Sequence, residues 1–397
     1  MIEASKNNTS SAIVRYGMVG GGSGAFIGEV HRKAIGIDGK ATLTAGCFSR
    51  SMPLTLETGK ALGVNKDRLY ESYLEMAGAE AKREDGIDFV SIVTPNSSHF
   101  TIARAFLEQG INVVCDKPLT TNYEEALLLQ ELAKEKDLLF AVTYTYTGYP
   151  AVKQAREMIR NGEIGKIRFV NAEYPQEWLA EPVENDPSNK QAFWRTDPAQ
   201  SGISNCVGDI GSHMENMISY VTGLEIDSLS ARLDRMVEGR KLDDNAVIML
   251  NYKGGAEGLY WSSQIAWGHD NDLSFRIYGT EGAISWRQEN PNYLRIAKKG
   301  EHVKIASRGR DDFYNHPGSY VRLPSGHPEG YFEAFANLYS TYIDALSMKK
   351  NGTTPQGDQL DFPTALDGAK GVRFIEKCVE SSEKKSAWVK FQEKKER

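Results

Sequence analysis

Three residues have side chains suited to proton and charge chemistry at positions that invite it: Lys117, Asp209 and His213. Lys117 lies in VVCDKPLT, residues 113–120, where the apolar run Ile111 to Val114 reads as a buried strand ending at Asp116, Lys117 and Pro118. Strand ends in α/β proteins face the ligand crevice, so a lysine fixed there by a proline is a candidate catalytic group. The competing reading is a solvated residue that closes a strand. Asp209 and His213 stand four apart in GDIGSH, a spacing that puts both on one face of a helix. Such a pair, taken alone, is more often a capping aspartate and an ordinary histidine. It also offers two metal ligands, but no third follows at a familiar spacing, so no metal is expected.

The elements that must position these groups change character along the chain. IVRYGMV, residues 13–19, reads as a buried strand that stops at Gly20-Gly21-Gly22, with a helix from about Gly24 to Ile35. Strands are expected at 41–48, 88–93, 111–115 and 138–144, and helices at 53–62, 71–84, 98–109 and 122–135. Strands alternating with helices at this spacing predict a parallel sheet covered on both faces. The glycine run, Thr94-Pro95-Asn96 and Asp116-Lys117-Pro118 all fall at carboxyl strand ends, so one crevice can use all three. After about Tyr146 the alternation stops. A helix, a glycine turn and a strand fill 149–174, and LSARLDRM, NAVIMLNY, AEGLYWSSQIA and LSFRIYG read as strands without helices between them. The expected fold class is therefore α/β. A Rossmann dinucleotide-binding domain over 1–146 precedes an α+β domain over 147–397, which carries a large, open, mostly antiparallel sheet for substrate binding and oligomerisation. The segment HPEGYFEAFANLYSTYIDAL reads as an amphipathic helix whose stripe, Phe332, Phe335, Leu338, Tyr342 and Leu346, packs into a core.

A dinucleotide site needs glycines for a tight turn and for close approach of the pyrophosphate to a helix N-terminus. Gly20 and Gly22 fit the first two positions of G-x-G-x-x-G, with Ser23 and Gly24 beside them, whereas Gly28 comes three residues late, as though the loop were longer. The second strand ends in Phe48-Ser49-Arg50-Ser51, with no acid to bond the ribose of NAD. Ser49 and Arg50 suit a 2′-phosphate, because a guanidinium binds phosphate bidentately, so the expected NAD(P) cofactor leans toward NADP.

Composition narrows the partners. The 397 residues are 40% hydrophobic and 25% charged with a net charge of −6, which argues against nucleic acid or an anionic membrane. No apolar stretch approaches the ~18 residues of a membrane span, and the first twelve residues lack the apolar segment of a signal peptide. Four scattered cysteines with no CxxC pair suit reduced thiols in the cytoplasm.

The whole chain resembles the Gfo/Idh/MocA family, on its glycine loop and on TPNSSHFTIARAFLEQGINVVCDKPLTTNYEEA, NGEIGKI, WRTDP and GDIGSH. The resemblance implies an NAD(P)-dependent oxidoreductase that moves a hydride between nicotinamide and a secondary alcohol or ketone carbon of a sugar, polyol or inositol. Lys117, Asp209 and His213 match the family's catalytic lysine, aspartate and histidine, and Thr94, Pro95, Asn96 and His99 match its cofactor-side loop, His99 being expected to support that loop or the helix start. A cis bond between Lys117 and Pro118 is expected on the same basis. Two departures stand out: Asp116 replaces the usual glutamate, and the glycine loop is long. In the chemistry this implies, His213 takes the hydroxyl proton, Asp209 orients it or holds a neighbouring hydroxyl, and Lys117 stabilises the developing alkoxide. A polyol wants polar groups and an aromatic face, which makes Tyr146, Trp194, Arg195 and Asn205 the substrate candidates, with Tyr144, Gln176, Trp178, His316 and His327 behind them. The alternatives are a keto- or anhydro-sugar reductase using the same groups in reverse, and a dinucleotide-sensing regulator without chemistry. The family's second-domain sheet also implies a homodimer or homotetramer.

Overall fold

The computed structural model describes residues 13–186 and 188–392, so the expectation of no leader, which rests on residues 1–12, lies outside the described residues. The first half builds β1 (Val14–Gly20), α1 (Phe26–Ile37), β2 (Ala41–Cys47), α2 (Met52–Ala61), α3 (Tyr73–Glu80), β3 (Phe89–Val93), α4 (His99–Glu108), β4 (Asn112–Cys115), α5 (Tyr123–Glu135) and β5 (Phe140–Val142). The five strands form a parallel sheet in the order β2-β1-β3-β4-β5. Every residue of β3 is buried, as a central strand covered on both faces requires.

The second half begins with α6 (Pro150–Arg160), opened by Pro150, and β6 (Ile167–Pro175). Two short helices follow, α7 (Lys190–Thr196) and α8 (Pro198–Ser201), then α9 (Ser212–Thr222). Strands β7 (Ile226–Asp234), β8 (Asn245–Tyr252), β9 (Glu257–Ser263), β10 (Ser274–Gly279), β11 (Gly282–Arg287), β12 (Tyr293–Lys298) and β13 (Lys304–Ser307) come in sequence. After them stand α10 (Asn315–Gly318), α11 (Tyr331–Lys350), α12 (Ala365–Glu383) and β14 (Val389–Lys390). The nine strands order as β13-β12-β11-β10-β6-β9-β8-β7-β14, antiparallel except for the pair β6 and β9. Strict alternation along β8 puts Ala246, Ile248 and Leu250 in the core and leaves Val247 and Met249 exposed.

The α/β class, with one parallel and one mostly antiparallel sheet, is the expected one, but the second sheet runs three strands beyond LSFRIYG. The last two long helices return to the first sheet. Phe335, Tyr339 and Tyr342 of α11 join Val14, Val30 and Phe89 in one core, and Ala365, Ala369 and Val372 of α12 join Leu119, Leu129 and Val142 in another. Phe332 departs from the expected stripe. It is 38% exposed in the first turn of α11, under the Lys33 ammonium. No described helix is long and apolar enough to cross a membrane.

Candidate active site

The carboxyl ends of β1, β3 and β4 lie side by side in the sheet, and the three expected loops meet there. Gly20 adopts φ +85°, and a Cβ on it would stand 2.8 Å from Thr94 Cγ2, so the glycine turn and the Thr94 loop are in contact. A Cβ on Gly22 would meet the Phe48 carbonyl oxygen at 2.8 Å. Gly28, inside α1, supplies the third glycine. Its Cβ would sit 2.3 Å from Gly21 Cα, so helix and turn pack backbone to backbone despite the longer loop. Helix α1 has no side-chain cap, which leaves its first amides facing the loop. A bare backbone cradle at a helix N-terminus is what a dinucleotide pyrophosphate requires, and these residues fit it. Ser23 N–H, by contrast, donates to Thr58 Oγ1. Ser49 at the end of β2 is tied to Thr55 and Ser51, while Arg50 is exposed with no bonded partner among the described residues.

His99 does not line the crevice. It is fully buried, with Nδ1 2.9 Å from the Pro118 carbonyl and Nε2 2.8 Å from the Thr94 carbonyl, so it braces one loop against the other. Asn96 is also buried and donates to the Ser201 carbonyl at the end of α8.

The Lys117–Pro118 bond is cis, as expected. Asp116 now has an observable place. Its Oδ1 accepts from the Lys117 backbone N–H at 2.9 Å and from Thr143 Oγ1 at 2.8 Å, so the shorter carboxylate folds back onto the turn and pins it to the end of β5.

Lys117 reaches into the second half of the chain. Its ammonium donates to Asp209 Oδ1 at 2.8 Å and to the Asp209 carbonyl at 2.7 Å. An ammonium has three donors, so one N–H of Lys117 remains uncommitted. Asp209 sits in Val207–Gly211, wound as a π-turn that runs into α9, and this wider turn presents it toward Lys117. Its other oxygen accepts from Gln264 Nε2 at 3.0 Å and from Arg195 Nε at 3.2 Å. Burial by itself would raise the Asp209 pKa, but Lys117 and Arg195 outweigh it and hold the carboxyl well below the usual carboxylate range. The loop before the π-turn is held by buried Asp243, which accepts from Ser204 Oγ, Asn205 N and Val207 N.

His213 is 7% exposed, and neither ring nitrogen has a hydrogen-bond partner among the described residues. Asp209 does not orient it. The imidazole instead meets the edges of Tyr146 and Tyr144 at 4.7 and 5.5 Å between ring centres, with Tyr174 at 6.2 Å. Burial, and then the Lys117 charge, push its pKa well below the ordinary histidine value, so the free site holds a neutral imidazole.

Around this centre lies a polar wall. Asn271 accepts from Tyr174 OH at 2.7 Å and from Gln176 Nε2 at 2.6 Å, and donates to Tyr146 OH at 3.3 Å. Trp178 Nε1 donates to Gln176 Oε1, and the Arg195 guanidinium lies 4.3 Å from the Trp194 ring. Tyr146 packs on His213, Arg195 pairs with Asp209 and Trp194 lies against Arg195, so these three candidates border the centre. Asn205 is instead fully buried behind the wall, donating to Gln264 Oε1 at 2.7 Å. His316 is remote, paired with Asp361, and His327 borders a neighbouring cavity. Gln264, Tyr174, Asn271 and Asp243 were not anticipated. The strand-end rule had the means to find one of them. Strands β6 and β9 form the one parallel pairing among the described strands of the second sheet, and Gln264 follows the end of β9 as the anticipated Gln176 follows the end of β6.

A parallel sheet with a glycine cradle and a lysine at its strand ends, joined to a carboxylate and a histidine on a turn and helix of the second half of the chain, defines an NAD-binding oxidoreductase. The chain belongs to the Gfo/Idh/MocA family: residues 14–144 match the family's NAD-binding Rossmann fold and 152–285 its C-terminal domain. It is similar to an inositol dehydrogenase homologue of Azotobacter vinelandii solved with NAD+, at 37% identity and a TM-score of 0.91, over 95% of this chain and 97% of that one. The uncharacterised oxidoreductase YfiI of Bacillus subtilis is 36% identical over 95% of this chain and 97% of its own. A levoglucosan dehydrogenase of Pseudarthrobacter phenanthrenivorans is 28% identical over 72% of this chain and 76% of its own.

Proposed function

We propose that the chain is a dehydrogenase that oxidises a secondary alcohol carbon of an uncharged polyol, inositol or sugar ring with NAD(P). The observation that carries this reading is Lys117, with one uncommitted N–H, beside a neutral His213 whose pKa the lysine charge helps hold down. Bound along Gly20, Gly22, Ser23, Gly24 and the Thr94-Pro95-Asn96 loop, the dinucleotide supplies the two-electron acceptor. Lys117 holds the reacting oxygen and stabilises negative charge as it develops there. His213 takes the hydroxyl proton. Asp209 keeps Lys117 and Arg195 in place. Tyr146, Arg195 and the Trp194 face hold the remaining hydroxyls. The first domain, 1–146, would bind cofactor, and 147–397 would bind substrate and assemble.

Three supports bear on finer points. The end of β2 offers Arg50 and no carboxylate, which favours acceptance of NADP; a strong preference for NAD in the ratio of Michaelis constants overturns that. Val247, Met249, Leu259 and Tyr278 stay exposed on the outer face of the second sheet, which supports a homodimer or homotetramer, read by light scattering. All four cysteines are free and buried, which suits a cytoplasmic setting.

The test is incubation with NAD or NADP and a panel of inositols, monosaccharides and anhydro sugars, following reduced-nicotinamide absorbance. Turnover with a neutral ring is expected. Dinucleotide binding without turnover in either direction would favour the sensing regulator and sink the reading.

A further inference from the structure

Behind Asp209 stand two side-chain amides whose direction is fixed by the carboxylate at their end. An ionised Asp209 can only accept, so the Gln264 atom 3.0 Å from its Oδ2 is the amide nitrogen. That leaves Gln264 Oε1 facing away from Asp209 as an acceptor, and Asn205 Nδ2 donates to it at 2.7 Å. Turning either amide over would set oxygen against oxygen at one of the two joints. Both residues are fully buried. Neither side chain makes another hydrogen bond among the described residues, and Asn205 Oδ1 is left buried without a partner. The backbone of Asn205 is tied separately. Its N–H donates to Asp243 Oδ1 at 3.0 Å and its carbonyl accepts from Asp209 N at 2.7 Å, bonds open to any residue with a backbone N–H. The Asn205 side chain thus has one task, which is to donate to Gln264.

We propose that Asn205 is a positioning residue of the oxidation, setting the direction of the Gln264 amide so that its nitrogen faces Asp209 and steadies the carboxylate that holds Lys117. This rests on the reading that Lys117 and His213 carry that oxidation. Enclosed behind Gln264, Asn205 acts only through Gln264 and Asp209. Asp209 Oδ1 accepts from Lys117 at 2.8 Å, while Oδ2 is shared by Gln264 and Arg195. A reversed Gln264 amide would aim a carbonyl dipole at Oδ2 in a site of low polarity and drive the carboxylate from its place beside the ammonium.

Asn205→Asp keeps the shape of the side chain and makes its donor titratable. Protonated, the introduced carboxyl donates to Gln264 Oε1 as the amide does; ionised, it only accepts, and it draws the Gln264 nitrogen away from Asp209. The titratable groups facing that position are the Asp243 and Asp209 carboxyls, with the buried Cys206 thiol next in the chain. The cations of the network are already paired, Lys117 and Arg195 with Asp209 and Arg240 with Asp244 and Glu184. Burial and the neighbouring carboxyls therefore make the introduced group ionise above the ordinary aspartate value of about 3.9. Gln264→Glu tests the same link should Asn205→Asp fold poorly: protonated it donates to Asp209 and accepts from Asn205, and ionised it sets like charge against Asp209.

The experiment measures kcat for myo-inositol with NAD(P) across pH, with thermal melts at each pH. Both variants are expected within about threefold of the parent near pH 6, and down by on the order of tenfold or more relative to it by about pH 9. The side-chain amide NMR signals of Gln264, assigned by their absence in Gln264→Glu, report the link without turnover. They should shift through the same pH window in Asn205→Asp and stay fixed in the parent. A variant-to-parent ratio that is flat with pH in folded variants overturns the proposal, as do Gln264 signals that do not move in Asn205→Asp. The two readings fail separately: flat ratios beside an active parent sink only the role of Asn205, and moving Gln264 signals in a protein that oxidises no ring sink only the oxidation.

Discussion

Replacing Lys117 by methionine keeps the side chain's length and removes its charge. Two hydrogen bonds to Asp209, at 2.7 and 2.8 Å, disappear together with the free N–H that would meet the substrate oxygen. Losing one preorganised donor to a developing oxyanion costs about 10²–10³ in turnover, roughly 2.7–4 kcal/mol. Asp209 keeps Gln264 at 3.0 Å and Arg195 at 3.2 Å, so the carboxylate is not left bare. The fold therefore loses less than the roughly 3–5 kcal/mol of a buried pair broken outright. The glycine cradle is untouched, and dinucleotide affinity should stay near that of the parent.

The same substitution moves a titration. His213 must be neutral to act as a base, so kcat/KM falls as pH drops through its pKa. Burial and Lys117 hold that pKa low, while Asp209 alone raises it. The parent's acid limb therefore lies below the ordinary histidine value of about 6.5. In Lys117→Met the influence of Asp209 is less opposed, and the limb should shift to higher pH. Profiles of kcat/KM for both proteins, with thermal melts to establish that the variant is folded, make the measurement. Retention of more than a tenth of parent turnover, or an acid limb that moves to lower pH, refutes the reasoning.

Gly28→Ala places a Cβ 2.3 Å from Gly21 Cα, so α1 must move off the turn and dinucleotide affinity should fall by on the order of tenfold or more, read by fluorescence titration; unchanged affinity would contradict the cradle. Asp116→Glu pushes the carboxylate past its two donors, each bond being worth about 1 kcal/mol, and turnover should fall roughly threefold to tenfold while dinucleotide affinity holds. Burial pushes Glu215 up to about 8, so the folded state holds a proton that the unfolded chain gives up from about pH 4.5, and stability falls as pH rises through that window. Glu215→Gln has nothing to ionise and should gain on the parent between pH 5 and pH 9, by up to a few kcal/mol at about 1.36 kcal/mol per unit; an equal difference in denaturant melts at both pH values would count against it.

What could be read from the sequence depended on how local the signal was. The buried runs of β1, β3 and β4 and the turn residues after them are contiguous, so the crevice and Lys117 were legible. The strands β11, β12 and β13 were not, because each is four to six residues long and set among turn residues. Burial of individual site residues was equally hidden. Asn205 and Trp194 look alike as candidates in a loop, yet one is enclosed behind Gln264 and the other stacks at the wall. His99 matches a family position in sequence and reads there as a support for its loop, but only the fold shows that its two ring nitrogens serve the carbonyls of two different loops.

Asp209 illustrates the difference most sharply. Four-residue spacing placed it on one helix face with His213, and the family chemistry gave it the role of orienting the imidazole or holding a neighbouring hydroxyl. In the fold the intervening π-turn sends the carboxylate to Lys117 from the first sheet, to Arg195 fourteen residues upstream and to Gln264 fifty-five residues downstream. That makes Asp209 one of the links between the two halves of the chain, through an ion pair with Lys117 that no local pattern encodes. His213 is left to aromatic neighbours and to the low polarity they create, which keeps it neutral. An acid that anchors the cation and a base kept neutral by burial and by that same cation form a coupled set. Removal of Asp209 should accordingly perturb Lys117 and Arg195 before it perturbs the position of the histidine.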